Sequence, residues 1–499
     1  MPPFYSYGIC STSSREESLT GQSLLSGEMG GVIKRKLENM GYLFDPRSVA
    51  VVGASPNPAK LGFHVMKSLV KGGFGGQIVP INPSVKEIMG IKVFTSLEKY
   101  MGNIDLAIVV VPAKSVREVF IQCKKKGVRG VVLITAGFKE IEDPMGAELH
   151  EEIKGIADTA NIPVIGPNTF GMINFHCQLN ASFTPEFSHI KKGKVALVSQ
   201  SGGMAHLLGF MAMREGVGFS KIVGIGNRLN LDFPDMIQYL SQDPVTETIA
   251  LYVEGTEEAR PMLNVAKRWV SSTPIVAYKT GSAEVGDQAS VSHTGSLAGD
   301  SSIYEGAFNQ AGIIPVHGSM ELLDIAKVLA YCPRVKGKRI AILSGQAGPA
   351  IAGADVCERE GLQIVLFTND TQEKINQLLP PLALRTNPVD MGPAWYDASA
   401  IVGIVKAVME DRNVDAILLY MMFASANVDA IEGMAGLLKE WHQKKPVITC
   451  FLAPPGIWDD QVRDLEESEA LVNYPTPERA AYAMVALCKY ASMVEGLEG

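Results

Sequence analysis

One histidine stands out by its neighbours. His293 lies in Ala289-Ser290-Val291-Ser292-His293-Thr294-Gly295-Ser296-Leu297-Ala298-Gly299, a run of small and hydroxyl residues ahead of a helix-like stretch. A helix start leaves backbone N–H groups unpaired and carries the positive end of the helix dipole, so it attracts anions. An imidazole there is placed to accept a phosphoryl group; a surface or satisfied core histidine is the commoner use of the residue type. A second such start is Val198-Ser199-Gln200-Ser201-Gly202-Gly203, where two hydroxyls and several N–H groups open an apolar helix over 204–214. Plain N-capping by Ser201 is the alternative there. The run 249–253 ends in Glu254-Gly255. A carboxylate at that point could hold one ring nitrogen of His293 and leave the other as nucleophile; a solvated strand-end glutamate is the alternative. Lys279 and Gly281 precede the histidine segment. A counter-charge at Lys279 is set against the ordinary solvation of a lysine that ends a strand.

A further anion-type loop lies upstream. Gly53-Ala54-Ser55-Pro56-Asn57-Pro58-Ala59-Lys60-Leu61-Gly62 leads from an apolar run into a helix beginning near residue 63. A glycine-led turn into a helix suits phosphate, and Lys60 adds a point charge; an ordinary strand–helix turn is the bland alternative. The loop is not G-x-G-x-x-G, and the next run ends in Asn82-Pro83 where a dinucleotide site wants an acidic residue for the ribose. NAD is disfavoured. Val110-Val111-Pro112, Ala136-Gly137-Phe138-Lys139-Glu140 and Gly166-Pro167-Asn168-Thr169 also end apolar runs. Together they predict an open crevice, lined with backbone amides, for a long, thin ligand.

Strands must stand behind these loops. Continuous apolar runs at 48–53, 77–82, 106–112, 131–136 and 163–166 alternate with helical patterns, the signature of a parallel sheet covered on both faces. A second series runs through 195–198, 220–226, 248–253 and 274–279 and closes with a helix over 322–331. The basic, turn-rich stretch 333–338 precedes a third series at 339–343, 362–367, 416–420 and 446–451. The fold class is therefore α/β, three doubly wound units in succession, with ligands expected at the carboxyl ends of the strands.

A length of 499 residues accommodates three domains, and 46% hydrophobic with 20% charged residues is the balance of a soluble globular chain. The net charge of −8 argues against nucleic acid as a partner. No stretch reaches the length of a membrane span. Seven dispersed cysteines, with no C-x-x-C pair or zinc spacing, fit a reducing, cytoplasmic setting and give no metal site. The Ser- and Gly-rich start, with Arg15-Glu16-Glu17 and no signal-peptide run, reads as a mobile tail. No G-x-x-x-x-G-K-[ST] occurs, and the third unit lacks a two-lobed, Lys- and acid-bearing nucleotide region.

The succession Gly53-Ala54-Ser55…Lys60-x-Gly62, Ile81-Asn82-Pro83, Ala136-Gly137-Phe138, Gly166-Pro167-Asn168, Ser199-Gln200-Ser201-Gly202 and Ser292-His293-Thr294-Gly295 resembles the α subunit of the ADP-forming acyl-CoA synthetases. This acetate–CoA ligase type is related to the succinyl-CoA synthetase α chain, and the resemblance covers about residues 45–490. It implies a tail over 1–39, a CoA-binding Rossmann-like domain over 40–180, a succinyl-CoA-synthetase-like domain over 185–332 and a second ligase domain over 338–495, the last two flavodoxin-like. It implies that coenzyme A is bound by Gly53, Ser55, Lys60, Gly62, Asn82, Pro83, Val111, Pro112, Ala136, Gly137 and Asn168. Phosphate would be held by Ser199, Gln200, Ser201, Gly202, Thr294 and Gly295, with His293 phosphorylated and Glu254 orienting it.

The resemblance further implies ATP or ADP with Mg2+ on a separate ATP-grasp β subunit. The substrates would be a small carboxylic acid, its CoA thioester and phosphate. The third unit is expected to pack against the CoA-binding unit and the partner. Thr169 departs from the family's usual Cys near the acyl position, which puts acetate in doubt, and Asn230 replaces a frequent Asp. Two other readings remain: a stand-alone acyl-CoA:acid CoA-transferring enzyme, and a non-catalytic CoA-binding regulatory protein. The presence of both His293 and Glu254 argues against the last.

Overall fold

The computed structural model describes residues 38–281, 301–381 and 383–498. All but the last two residues of the tail, together with His293, Thr294 and Gly295, lie outside that set.

Among the described residues, three sheets carry the architecture. The first places Gln77–Ile81, Ser48–Val52, Leu106–Val109, Gly130–Leu133 and Val164–Ile165 side by side, all parallel. Its strand Ser48–Val52 is buried along its whole length, as an apolar run covered by helices on both faces must be. The second orders Phe219–Gly224, Lys192–Ser199, Thr248–Val253, Ile275–Lys279 and Ile314–Val316 in the same way. The third orders Gln363–Ile364, Arg339–Ser344, Ala416–Met422, Val447–Leu452 and Val472–Asn473, with Val389–Asp390 pairing on Arg339–Ser344 off this path.

Each sheet thus has the spatial order second, first, third, fourth, fifth, the flavodoxin-like arrangement. Its first and third strands leave in opposite directions and open a crevice at their carboxyl ends. The crevice of the first sheet lies beyond Val52 and Val109, that of the second beyond Ser199 and Val253, that of the third beyond Ser344 and Met422. Those are the strand ends that carry the glycine- and serine-rich loops.

Three features differ from expectation. The first unit is expected to run to residue 180, but the hairpin Gly171–Asn174/Leu179–Ser182 extends the second sheet antiparallel, Lys221 facing Asn174. Of the run 362–367 only Gln363–Ile364 pairs, because it lies at a sheet edge and Leu366 turns out to solvent, 78% exposed.

Among the described residues the third unit shares its core with the second unit and not with the first. Helices Ser319–Tyr331, Ala347–Arg359 and Pro477–Glu498 bury Leu329, Val356 and Met484 in one core with Leu197 and Leu418. Arg479 fixes the seam, its Nε 2.8 Å from Asp324 Oδ2 and its Nη2 2.8 Å from Glu215 Oε2. The first and second units share another core through Val51, Ile108, Met172 and Val198. The second unit is therefore the keystone. No described helix is long and apolar enough to cross a membrane.

Candidate functional site

The first crevice is shaped by two glycines. Gly53 has φ +96°, and a Cβ there would meet the Val110 carbonyl oxygen at 2.9 Å. A Cβ on Gly62 would stand 2.0 Å from the Gly53 carbonyl oxygen, so the helix Leu61–Lys71 can begin against this loop only because residue 62 has no side chain. Asn82 braces the turn: its Nδ2 donates to the Ala54 carbonyl at 2.7 Å and its Oδ1 accepts the Ser84 N–H at 2.8 Å. The helix start has no side-chain cap, and Lys60, at the cap position, is exposed. A cleft of about 520 Å³ results, lined by Gly53, Ser55, Lys60, Gly62, Asn82, Val111, Pro112 and Ala136. Eight of the eleven residues singled out for coenzyme A thus share one cavity.

The other three do not line it. Pro83 lies past the strand end, Gly137 is tied to Glu140 of its own unit, and Asn168 faces the second unit. Gly137 donates its N–H to Glu140 Oε1 at 2.6 Å, and Asn168 reaches Asn227 Oδ1 at 3.4 Å.

At the second crevice the serines turn inward. Ser199 Oγ donates to the Ser201 carbonyl at 2.7 Å, and Ser201 Oγ accepts the Met204 N–H at 3.3 Å as an N-cap. Gln200 Oε1 accepts the N–H groups of Glu254 at 2.9 Å and Gly255 at 3.1 Å. What remains open is the backbone of the helix Gly202–Glu215 at its start. Among the described residues, a Cβ on Gly202 or Gly203 would find nothing nearer than 3.9 Å. That start is free to take an anion on main-chain N–H groups, with the hydroxyls acting as scaffold.

Glu254 follows the strand Thr248–Val253, half-buried, with one carboxylate oxygen withdrawn from solvent. Sequence reasoning missed Arg228, which holds the same turn: its Nη1 donates to the Gly255 carbonyl at 3.0 Å and pairs with Asp232 Oδ2 at 3.3 Å. Burial raises the Asp232 carboxyl above its ordinary range, and Arg228 partly offsets that. Lys279, expected to be solvated, is instead buried; its ammonium donates to the Thr280 carbonyl and stands 4.9 Å from the Tyr304 ring centroid.

The two crevices meet at a polar seam. Thr169 does not face the cleft: it is buried, donating to the Gly224 carbonyl at 2.6 Å and accepting the Gly171 N–H at 3.0 Å. Its side chain is a sheet-joining element, and the inference against acetate loses its footing. Asn230 accepts the Val164 N–H at 2.9 Å and donates to Asp158 Oδ1 at 2.9 Å and the Ile162 carbonyl at 3.0 Å. A carboxylate could supply neither donation, which explains the amide at this position. Glu140 and Asn227 were also missed as seam residues. Only the folded arrangement brings them together.

Fold and crevices together define a CoA-binding α/β protein of the ligase type. Residues 47–174 match a family model described as a CoA binding domain, and 192–329 match a succinyl-CoA ligase like flavodoxin domain. The Pyrococcus furiosus acetate–CoA ligase [ADP-forming] II subunit alpha is 38% identical over 464 residues, covering 91% of this chain and 98% of the relative. The Archaeoglobus fulgidus acetate–CoA ligase [ADP-forming] I is 36% identical, with 91% of this chain covered, and the chain spans 64% of that relative's length. The dinucleotide-forming acetyl-coenzyme A synthetase 1 of Ca. Korarchaeum cryptofilum, solved with phosphate and ADP, superposes with a TM-score of 0.85 at 33% identity. That match covers 92% of this chain and 98% of the solved one. The chain belongs to the family of ADP-forming acetate–CoA ligase alpha subunits.

Proposed function

We propose that this chain is the α subunit of an ADP-forming acid–CoA ligase, interconverting acyl-CoA, ADP and phosphate with the acid, CoA and ATP. One observation carries the reading: Gln200 holds the Glu254 turn against the open helix start at Gly202, within the same body as the 520 Å³ cleft that fits a CoA phosphate end. On this reading the first unit holds CoA, the second, with the hairpin Gly171–Asn174/Leu179–Ser182, the phosphoryl group, and the third supports the second.

In the first half-reaction a phosphate oxygen attacks the thioester carbonyl; the C–S bond breaks, and CoA leaves as thiolate. A ring nitrogen of His293 then attacks phosphorus, the bond to the carboxyl oxygen breaks, and the acid leaves as carboxylate. The phosphoryl group brings about −1.5 to −2 charges, which the helix dipole and its N–H groups at Gly202 and Gly203 offset, with Thr294 and Gly295 beside the histidine. Glu254 holds the second ring nitrogen of His293. Phosphohistidine finally passes its phosphoryl group to ADP.

We place that nucleotide, with Mg2+, on a separate ATP-grasp β subunit. Two facts support this: the Pyrococcus relative is named a subunit, and the chain spans only 64% of the Archaeoglobus relative. Free, buried thiols such as Cys123 and Cys357 suit the reducing cytoplasm. The test is ATP formation from acetyl-CoA, ADP and phosphate by this chain with and without an ATP-grasp partner, followed by a panel of carboxylic acids. Activity with the pair alone supports the reading; ATP formed by the isolated chain overturns the division of labour.

A further inference from the structure

Two consecutive residues of the first unit reach across the seam into two different loops of the second. Glu140 Oε1 accepts the Gly137 N–H at 2.6 Å, and its Oε2 accepts the Phe138 N–H at 3.1 Å together with the side-chain amide of Asn227. Lys139 Nζ lies 3.9 Å from Glu257 Oε1, just past the Glu254 turn. Main-chain bonds add to the docking: Asn227 N–H to the Pro167 carbonyl and Leu229 N–H to the Gly166 carbonyl, both 2.9 Å.

The links continue to the phosphate end. Arg228, next to Asn227, holds the Gly255 carbonyl at 3.0 Å, and Gln200 holds the Gly255 and Glu254 N–H groups. A relay of hydrogen bonds, joined through the main chain at Asn227–Arg228 and at Gln200–Gly202, therefore runs from the loop at Gly137 and Phe138, next to Ala136 of the cleft, to the helix start at Gly202. Glu140 is its first member, and its carboxylate serves both units at once.

We infer that Glu140 is a positioning residue that sets the register between the CoA-binding and phosphoryl-holding units. The inference rests on the reading given under Proposed function. Phosphate attack needs the thioester carbonyl and the helix-bound phosphate aligned to within fractions of an ångström, and a misplacement of about 1 Å costs on the order of 100-fold in rate. The cleft proposed for CoA is lined mainly by residues 53–62, 82 and 110–112 and comes next to the seam loop only at Thr135 and Ala136. Loss of Glu140 should therefore slow the chemistry and spare CoA affinity.

The test uses the full-length chain with acetyl-CoA and radiolabelled inorganic phosphate, CoA titration calorimetry, and amide hydrogen exchange. Glu140→Ala is expected to bind CoA within about twofold of wild type and to take up label about 10–100-fold more slowly. A merely local capping role would speed exchange at Gly137 and Phe138 alone; a register role speeds it about tenfold at Asn227 and Leu229 as well. Asn227→Asp, which sets two carboxylates against each other, should slow labelling similarly. The pair Glu140→Gln with Asn227→Asp should recover part of the rate over Asn227→Asp alone, because the new amide donates across the seam to the new carboxylate while its oxygen keeps the Gly137 N–H and gives up that of Phe138. Unchanged exchange at Asn227 and Leu229 in Glu140→Ala, or absence of rescue in a folded double variant, overturns the inference. A wild-type chain that takes no label overturns the functional reading instead, while the exchange data still decide the role of Glu140.

Discussion

Gln200 and Glu254 are joined through the main chain: the Gln200 side-chain oxygen accepts the Glu254 N–H at 2.9 Å across the gap between the first and third strands of the second sheet. The third unit repeats the device. Ser344 Oγ donates to the Gln346 carbonyl at 2.6 Å, as Ser199 does to Ser201, and Gln346 Oε1 accepts the Met422 N–H at 3.2 Å. Register places Tyr252 opposite Ser199 and Tyr420 opposite Ser344, so Met422 is the counterpart of Glu254. The two crevices share a scaffold, but only the second offers a carboxylate at that strand end. This asymmetry supports our proposal of Glu254, at the second crevice, as the group that orients the histidine.

Gln200→Ala removes the acceptor of two N–H groups at a nearly buried position. Urea denaturation should show a loss of about 1–3 kcal/mol, and phosphoryl uptake from acetyl-CoA and phosphate should fall with it as the Glu254 turn loosens. Full uptake in the variant would mean that the turn needs no such tether.

Gly62→Ala forces a methyl group against the Gly53 carbonyl, where its Cβ would stand 2.0 Å away. Overpacking a methyl group against fixed backbone costs on the order of 1–3 kcal/mol. The loop must move, and the cleft with it. Calorimetric titration should show weaker CoA binding by tenfold or more, whereas Gly155→Ala, with nothing within 4 Å of its Cβ, should leave affinity unchanged.

His150 gives the fold a pH dependence. It is 4% exposed, its Nδ1 has no hydrogen-bond partner, and burial, reinforced by Lys139, pushes its pKa from the ordinary 6.5 down to about 4. The unfolded chain therefore takes up this proton first as pH falls. Stability should decline between about pH 6.5 and 4, level off below, and be unaffected above, with a total effect of up to about 3 kcal/mol. His150→Leu should remove that slope, read as the difference between the two unfolding free energies across the window. Parallel profiles would contradict it.

Much of this was legible in the chain. Val49-Ala50-Val51-Val52 and Ile249-Ala250-Leu251-Tyr252 announce parallel strands because a doubly covered strand needs no polar face. The loops after them announce anion sites because glycine and small residues leave backbone exposed. The hairpin Gly171–Asn174/Leu179–Ser182 was not legible: its runs are short, hold Asn174, Asn180 and Ser182, and find their sheet only through Lys221, some fifty residues on. Gln200 read as an anion ligand because its own neighbours are small and polar; its role depends on where a strand fifty residues later ends. Glu140 and Asn227 likewise acquire meaning only when two units close on each other. Local chemistry is written in neighbouring residues, whereas tethers between distant strand ends are written in the topology.

The most direct test of the central claim is the phosphoryl carrier itself. The full-length chain, incubated with acetyl-CoA and radiolabelled phosphate, should acquire an acid-labile, base-stable label that maps to the peptide containing His293. His293→Ala should carry none, and Glu254→Gln should be labelled more slowly. Label of equal extent on His293→Ala would contradict the account.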